Sequence, residues 1–141
     1  MGRTLRVEEV AGEFVFDRFI VARIVCKLED GRLFFLDRVP EDVVLFLLKL
    51  RGEQIGDDRE RLGDVLMSMP EVVEALGRHL KRVVINEFNE ERGFYAAEAE
   101  FEDGGITVAR KMVPSHAIML ALIANRPIYV DEELVEGQEQ L

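Results

Sequence analysis

Apolar and polar positions alternate along this chain in short stretches, each closed by glycine, proline or acidic residues. Leu5–Val10 and Phe14–Leu28 are rich in β-branched and aromatic residues and predict strands. Glu29-Asp30-Gly31-Arg32 holds the Asp-Gly pair of a hairpin turn, and Leu33–Leu36 returns as a short strand. Pro40-Glu41-Asp42 predicts a helix start, because proline fits the first helical position and acids there complement the dipole. Val43–Leu50 then reads as a nearly all-apolar core helix, and Arg51–Asp58 as a polar loop. A second helix is expected over Arg59–Met67, capped by Asp57 or Asp58, and a third from Pro70 through Arg78.

The second half alternates more cleanly. Val83–Phe88 and Phe94–Phe101 predict a hairpin joined by Asn89–Gly93, with Tyr95, Ala97, Ala99 and Phe101 on one face and Glu98 and Glu100 on the other. Asp103-Gly104-Gly105 turns the chain into a strand over Ile106–Met112. Pro114-Ser115 opens a helix through Ala124, Pro127–Val130 is a last strand, and Asp131 is placed to cap a short helix over Glu132–Val135. Strands in antiparallel runs with helices between them predict an α+β fold, a mainly antiparallel sheet with several packed helices. The folded unit is one domain over residues 1–136, and residues 137–141 are a polar tail.

A length of 141 residues suits one domain that needs no staples. The lone Cys26 rules out an internal disulfide and, in an apolar stretch with no histidine nearby, reads as a small buried hydrophobe. No apolar run approaches the ~20 residues of a membrane span, and no apolar h-region follows Met1, so a cytoplasmic location is expected, with no membrane partner. A formal charge of −10 runs against a partner recognised by phosphate neutralisation, such as RNA or DNA. High charge content with six side-chain amides and no Trp has the character of a heat-stable protein.

No Walker A sequence, GxGxxG, CxxC, HExxH or nucleophile elbow is present. His79 closes a helix, where a cation suits the C-terminal dipole. His116 lies in the first turn of the Pro114 helix, where it could touch phosphate or a metal or serve as an exposed helix starter. Glu41, Asp42, Asp64, Glu98 and Glu100 fall on ordered elements, and a hydrolytic metal site would need several of these carboxylates to converge on Mg²⁺ or Mn²⁺.

From Lys81 to Glu136 a series of segments appears in a recognisable order: Val83-Val84-Ile85, Gly93-Phe94-Tyr95-Ala96, Val113-Pro114-Ser115-His116-Ala117-Ile118, Arg126-Pro127-Ile128-Tyr129-Val130 and Glu133-Leu134-Val135. The series resembles the bifunctional nuclease domain family, whose members carry V-I … F-Y-A … R-P-S-D-A-I … P-I-Y/F-V at similar spacings. Leu33–Leu36, Glu41-Asp42 and Leu62-Gly63-Asp64-Val65-Leu66 resemble the earlier family segments more loosely, the last one its T-H-D-L-L. The charged positions depart from the pattern. Val113 stands for an arginine, His116 for an aspartate, Lys111 near an expected aspartate and Gly63 for a histidine, while Asp64 is kept.

The resemblance implies a metal-dependent nuclease acting on RNA and DNA, with Mg²⁺ or Mn²⁺ as the metal. It implies Glu41 and Asp64 as metal or general-base carboxylates and His116 as the polar group nearest a phosphate, a catalytic set of Glu41, Asp64 and His116. The alternative is a domain that keeps the fold without the activity and serves as a homo-oligomeric interaction or regulatory module. Phe14, Phe16 and Phe19 could then supply an apolar surface patch.

Overall fold

The computed structural model describes residues 2–140, apart from the side chain of Asp17. Strands β1 (Thr4–Asp17), β2 (Phe19–Leu28) and β3 (Leu33–Asp37) form a meander. Helices α1 (Glu41–Leu50), α2 (Leu62–Met67) and α3 (Pro70–His79) follow. A second meander comprises β4 (Leu80–Asn89), β5 (Phe94–Asp103) and β6 (Ile106–Met112), and the chain closes with α4 (Pro114–Ala124), β7 (Ile128–Asp131) and α5 (Glu132–Glu139). The fold is α+β, as the pattern predicted. All sheet pairings are antiparallel except that of β4 with β7.

The strand order is β3-β2-β1-β7-β4-β5-β6. Laid flat, β3 and β5 would be five strand spacings apart, about 24 Å. Instead Phe34 of β3 and Tyr95 of β5 meet edge to face, with ring centroids 5.1 Å apart. The sheet therefore curls round on itself. The bend falls in β1, whose first residues pair with β7 and whose remainder pairs with β2, with a register irregularity between Val7 and Glu9.

Several boundaries differ from the sequence pattern. The first two strands meet at Arg18, not between Val10 and Phe14, and Arg18 turns the hairpin with φ of 52° without the glycine that usually marks such a turn. Gly12 lies inside β1 because α1 crosses it closely, and an added Cβ would stand 3.2 Å from the Val44 Cα. Helix α2 starts at Leu62 rather than Arg59, with Arg61 at its N-cap position and Asp64 accepting a hydrogen bond from the Arg61 amide at 3.0 Å. Helix α5 runs to Glu139 rather than Val135. Gln138, expected in the tail, accepts from the Phe35 amide at 2.9 Å and donates to the Phe35 carbonyl at 2.7 Å, fastening the end of the chain to β3. Leu141 of that tail lies outside the described residues. Asp131 occupies the N-cap position of α5 but makes no side-chain cap bond.

Helix α4 is apolar on almost every side and lies between the sheet and the other helices, burying Ala117, Ile118, Ala121 and Ile123. Ala97 and Ala99 on β5 are fully buried, and their small side chains let α4 come close to the sheet. Glu98 and Glu100 face the other way, and Glu100 holds Arg82 in a fork at 2.6 and 3.1 Å. Cys26 is fully buried, and burial pushes its thiol pKa up to about 12, which makes it an inert core residue. Among the described residues no helix is long and apolar enough to cross a membrane.

Candidate functional site

The N-terminus of α4 separates two concavities. The first, of about 480 Å³, is bounded by the start of α1 (Pro40, Asp42), the segment Arg59–Gly63 and two residues of α4, His116 and Met119. His116 is exposed here. Arg59 and Arg61 supply guanidinium groups, and Asp42 and Glu60 supply carboxylates.

The two guanidinium groups are already engaged with carboxylates. Asp57, just behind the rim, takes Arg59 in a fork at 2.7 and 3.0 Å and Arg61 at 3.1 Å. The Arg59 bonds hold the Asp57 carboxyl far below its usual range, so it stays ionised at any ordinary pH. The Arg61 side chain is 11% exposed and also approaches Asp42 at 3.4 Å. Its buried Nε has no hydrogen-bond partner among the described residues.

The three residues expected from the sequence do not share this cavity. His116 lines it. Glu41 lines a different, smaller concavity with Phe14, Phe19 and Ile20. Asp64 lines neither, because its carboxylate accepts from the Arg61 amide at 3.0 Å and from the Lys49 ammonium at 3.1 Å. Burial pushes the Asp64 pKa up, but these bonds outweigh it and hold the group below its ordinary value.

Next to Asp64, the space that a side chain at Gly63 would need is taken. An added Cβ would stand 2.5 Å from the ring of Phe46, itself a core residue. Lys111 pairs with Glu87 at 2.6 Å on the outer sheet face.

A site for Mg²⁺ needs converging oxygen donors, with one or two carboxylates beside water and substrate phosphate. Among the described residues no three His, Cys, Asp or Glu side chains cluster in a way that could hold a metal ion. Glu41 and Asp64, the pair expected to do so, line no common cavity, so these two carboxylates do not fit a shared metal ion.

The second concavity is a groove of about 810 Å³ between β3, the β4–β5 hairpin and the start of α4. It exists because the sheet curls, bringing Phe34 of β3 against Tyr95 of β5, and Phe35 and Tyr95 both line it. Val113 and Ser115 border it, so two successive polar positions of the α4 motif, 115 and 116, open into different cavities.

Residues 48–140, about two thirds of the chain, match the bifunctional nuclease domain family. The chain belongs to that family. Among curated proteins none matches it. The matched region of this bifunctional nuclease domain takes in α2 to α5 and β4 to β7, so it carries His116, Asp64 and the Arg59–Gly63 wall. It leaves out the β1–β2 hairpin, β3 and the start of α1, which supply Asp42 to the first cavity and Phe35 to the second. The sequence pattern did not single out Arg59, Glu60 or Arg61. Their signal was an alternating charge triplet just ahead of an apolar helix, read as part of that helix.

Proposed function

We propose that this chain hydrolyses nucleic-acid phosphodiesters in the cavity beside the α4 N-terminus, with His116 as its proton-transfer group. The observation that carries this reading is the convergence of an exposed imidazole with Arg59, Arg61, Asp42 and Glu60 around one open cavity. Imidazole exchanges protons near neutral pH, and carboxylate and guanidinium are the other groups such a hydrolysis uses.

The step balances with these groups alone. A carboxylate, Asp42 or Glu60, takes a proton from water as the oxygen attacks phosphorus. The protonated imidazole of His116 gives its proton to the departing ribose or deoxyribose oxygen. The guanidinium groups offset charge on the non-bridging oxygens. The nucleophile is water, so the 2′-hydroxyl has no part and both RNA and DNA are substrates. The family to which the chain belongs supports the same substrate class.

The test is cleavage of single- and double-stranded RNA and DNA by protein freed of host nucleases, with Mg²⁺, with Mn²⁺ and with EDTA, beside His116→Ala and Asp42→Asn. Loss of cleavage in His116→Ala at an unchanged melting temperature supports the reading. Cleavage that survives His116→Ala rejects this cavity, and the absence of cleavage on every substrate rejects hydrolysis. Loss on EDTA would bring a metal back into the mechanism.

A second reading rests on a different observation. Beyond Ala22, the tip of the β1–β2 hairpin pairs only with itself, and it exposes Phe16, Phe19 and Ile20 at 79%, 75% and 63%. An apolar arm of this kind suits association with a second copy of the chain.

A further inference from the structure

The groove between β3 and β5 has the chemistry of a nucleotide site, and we propose that it takes one unpaired nucleotide, the base stacked on its exposed aromatic rings and the phosphate at the N-terminus of α4. The proposal rests on the nucleic-acid reading above for its substrate class but uses different residues.

Three independent observations meet in the groove. Phe88 and Phe94 line it with 40% and 47% of their surface exposed, although aromatic rings of this size are normally buried. Phe88 packs on Tyr95 in a tilted arrangement with centroids 4.6 Å apart, which braces the exposed ring. Aromatic faces held this way bind bases without regard to sequence, provided the base has left its own stack.

The second observation is Ser115, which is 2% exposed and whose Oγ has no hydrogen-bond partner among the described residues. A buried hydroxyl without a partner is disfavoured unless something else satisfies it. It lies in the first turn of an eleven-residue helix with no side-chain cap, where Pro114 has no N–H and the His116 and Ala117 amides bond the Val113 carbonyl, so the Ser115 amide is the one left for an anion that the dipole favours.

The third is charge. On a chain of formal charge −10, the charged residues lining the groove are Arg23, Asp37 and Arg38. Arg23 and Asp37 neutralise each other in a fork at 2.5 and 3.1 Å. Arg38 is exposed, has no ion-pair partner among the described residues and leaves the groove with a net positive lining. Val113, where the family resemblance expects arginine, makes the adjoining wall apolar and 54% exposed, which suits a base edge better than a second phosphate.

A volume of about 810 Å³ lies within the ordinary range for small-ligand sites. Duplex bases are stacked inward and cannot reach these rings, so the occupant is single-stranded or a free nucleotide. Contact with one phosphate also predicts a shallow salt dependence, a log–log slope near −0.7 by the rule for single strands.

The experiment titrates the ¹⁵N-labelled protein with adenosine monophosphate, adenosine and inorganic phosphate, none of which is a diester that hydrolysis could consume. Adenosine monophosphate is expected to shift the amides around Phe88, Tyr95 and Ser115, with adenosine weaker and phosphate weakest. Phe94→Ala should weaken the monophosphate by about five- to hundredfold, the range for loss of one stacking face. Ser115→Ala should weaken it while leaving the melting temperature unchanged or higher, since the variant removes an unsatisfied hydroxyl. By fluorescence anisotropy, a labelled single strand should bind at least about tenfold tighter than the same strand in duplex.

Shifts confined to the His116 cavity, unchanged affinity in both variants, or equal affinity for duplex and single strand would overturn the proposal. The two readings fail separately. Monophosphate binding in the groove without any cleavage keeps the groove and removes the hydrolysis, and His116-dependent cleavage without monophosphate binding does the reverse.

Discussion

Replacing Asp64 with alanine removes two bonds at once, and the consequence can be worked out. The carboxylate accepts from the Arg61 amide at the start of α2 and from Lys49 of α1. A cap bond of this kind contributes about 1 kcal/mol. Lys49 is 45% exposed, so its ion pair adds at most about 1 kcal/mol after solvent screening. The expected loss is therefore about 1–2 kcal/mol. Unfolding entropy of about 2.1 cal/mol/K per residue gives roughly 0.3 kcal/mol/K for a chain of 141 residues, so Tm should fall by about 3–7 °C.

The pH dependence has a definite sign. The folded pKa of Asp64 is held below the unfolded value near 3.9, so its stabilisation is present above that value and is lost as pH falls through the folded one. The gap between wild type and Asp64→Ala should be constant from about pH 5 to 8 and close below about pH 4. Thermal melts followed by circular dichroism over that range measure it. Asp64→Asn, which keeps an acceptor for the Arg61 amide, should lose less. If Asp64 is a helix cap, cleavage at a temperature well below both melting points should survive in Asp64→Asn. An alanine variant melting within about 1 °C of wild type would refute the structural role. Abolished cleavage in a stable Asp64→Asn would return the residue to the chemistry that the family resemblance implies.

Gly63→Ala should destabilise by about 1–3 kcal/mol despite alanine's better helix propensity, because its Cβ meets the Phe46 ring, and an unshifted Tm would show that the ring moves aside freely. Phe16→Asp with Phe19→Asp should leave the fold intact and turn an oligomer into a monomer by light scattering, while a wild type that is already monomeric would end the self-association reading. Burial, with Glu133 nearby, raises the pKa of Asp131, so its ionised form opposes folding at neutral pH and the opposition lifts as pH falls through the folded value. Asp131→Asn should thus be at least as stable as wild type at pH 7, with the advantage vanishing at pH 3, and a variant less stable at pH 7 would contradict this.

The α+β class and most elements of the second half were legible because local signals and tertiary demands agree there. Asn89–Gly93 is both a turn sequence and a turn, and Pro114 both a helix opener and the first residue of α4. Where they disagree, tertiary structure prevails. Gly12 carries a breaker signal but lies inside β1, because its missing side chain is what lets α1 cross. Arg18 carries no turn signal, yet the hairpin reverses there. The polar end of the chain has no apolar face to mark a helix beyond Val135, and α5 is extended by Gln138 bonding to Phe35 of β3, a contact between residues 103 apart in sequence.

The site was legible only in part, for a related reason. Residue type alone suggested Glu41, Asp64 and His116, but a carboxylate's role depends on what else it touches, and that is set by chain segments far away. Lys49 and the Arg61 amide occupy Asp64, whereas Asp42, one residue from Glu41, faces the cavity instead. The two departures at the start of α4 also act on different sides. His116 places a group that can move protons in one cavity, and Val113 removes charge from the wall of the other. A groove that loses an arginine is less suited to gripping many phosphates of a duplex, while a cavity with an imidazole in place of a carboxylate repels a single phosphate less. Both remain suited to one phosphodiester of a flexible strand, with a neighbouring base stacked on Phe88 or Phe94. Under the proposed hydrolysis, a chain of charge −10 would need to neutralise one or two phosphates of its polyanion, not many.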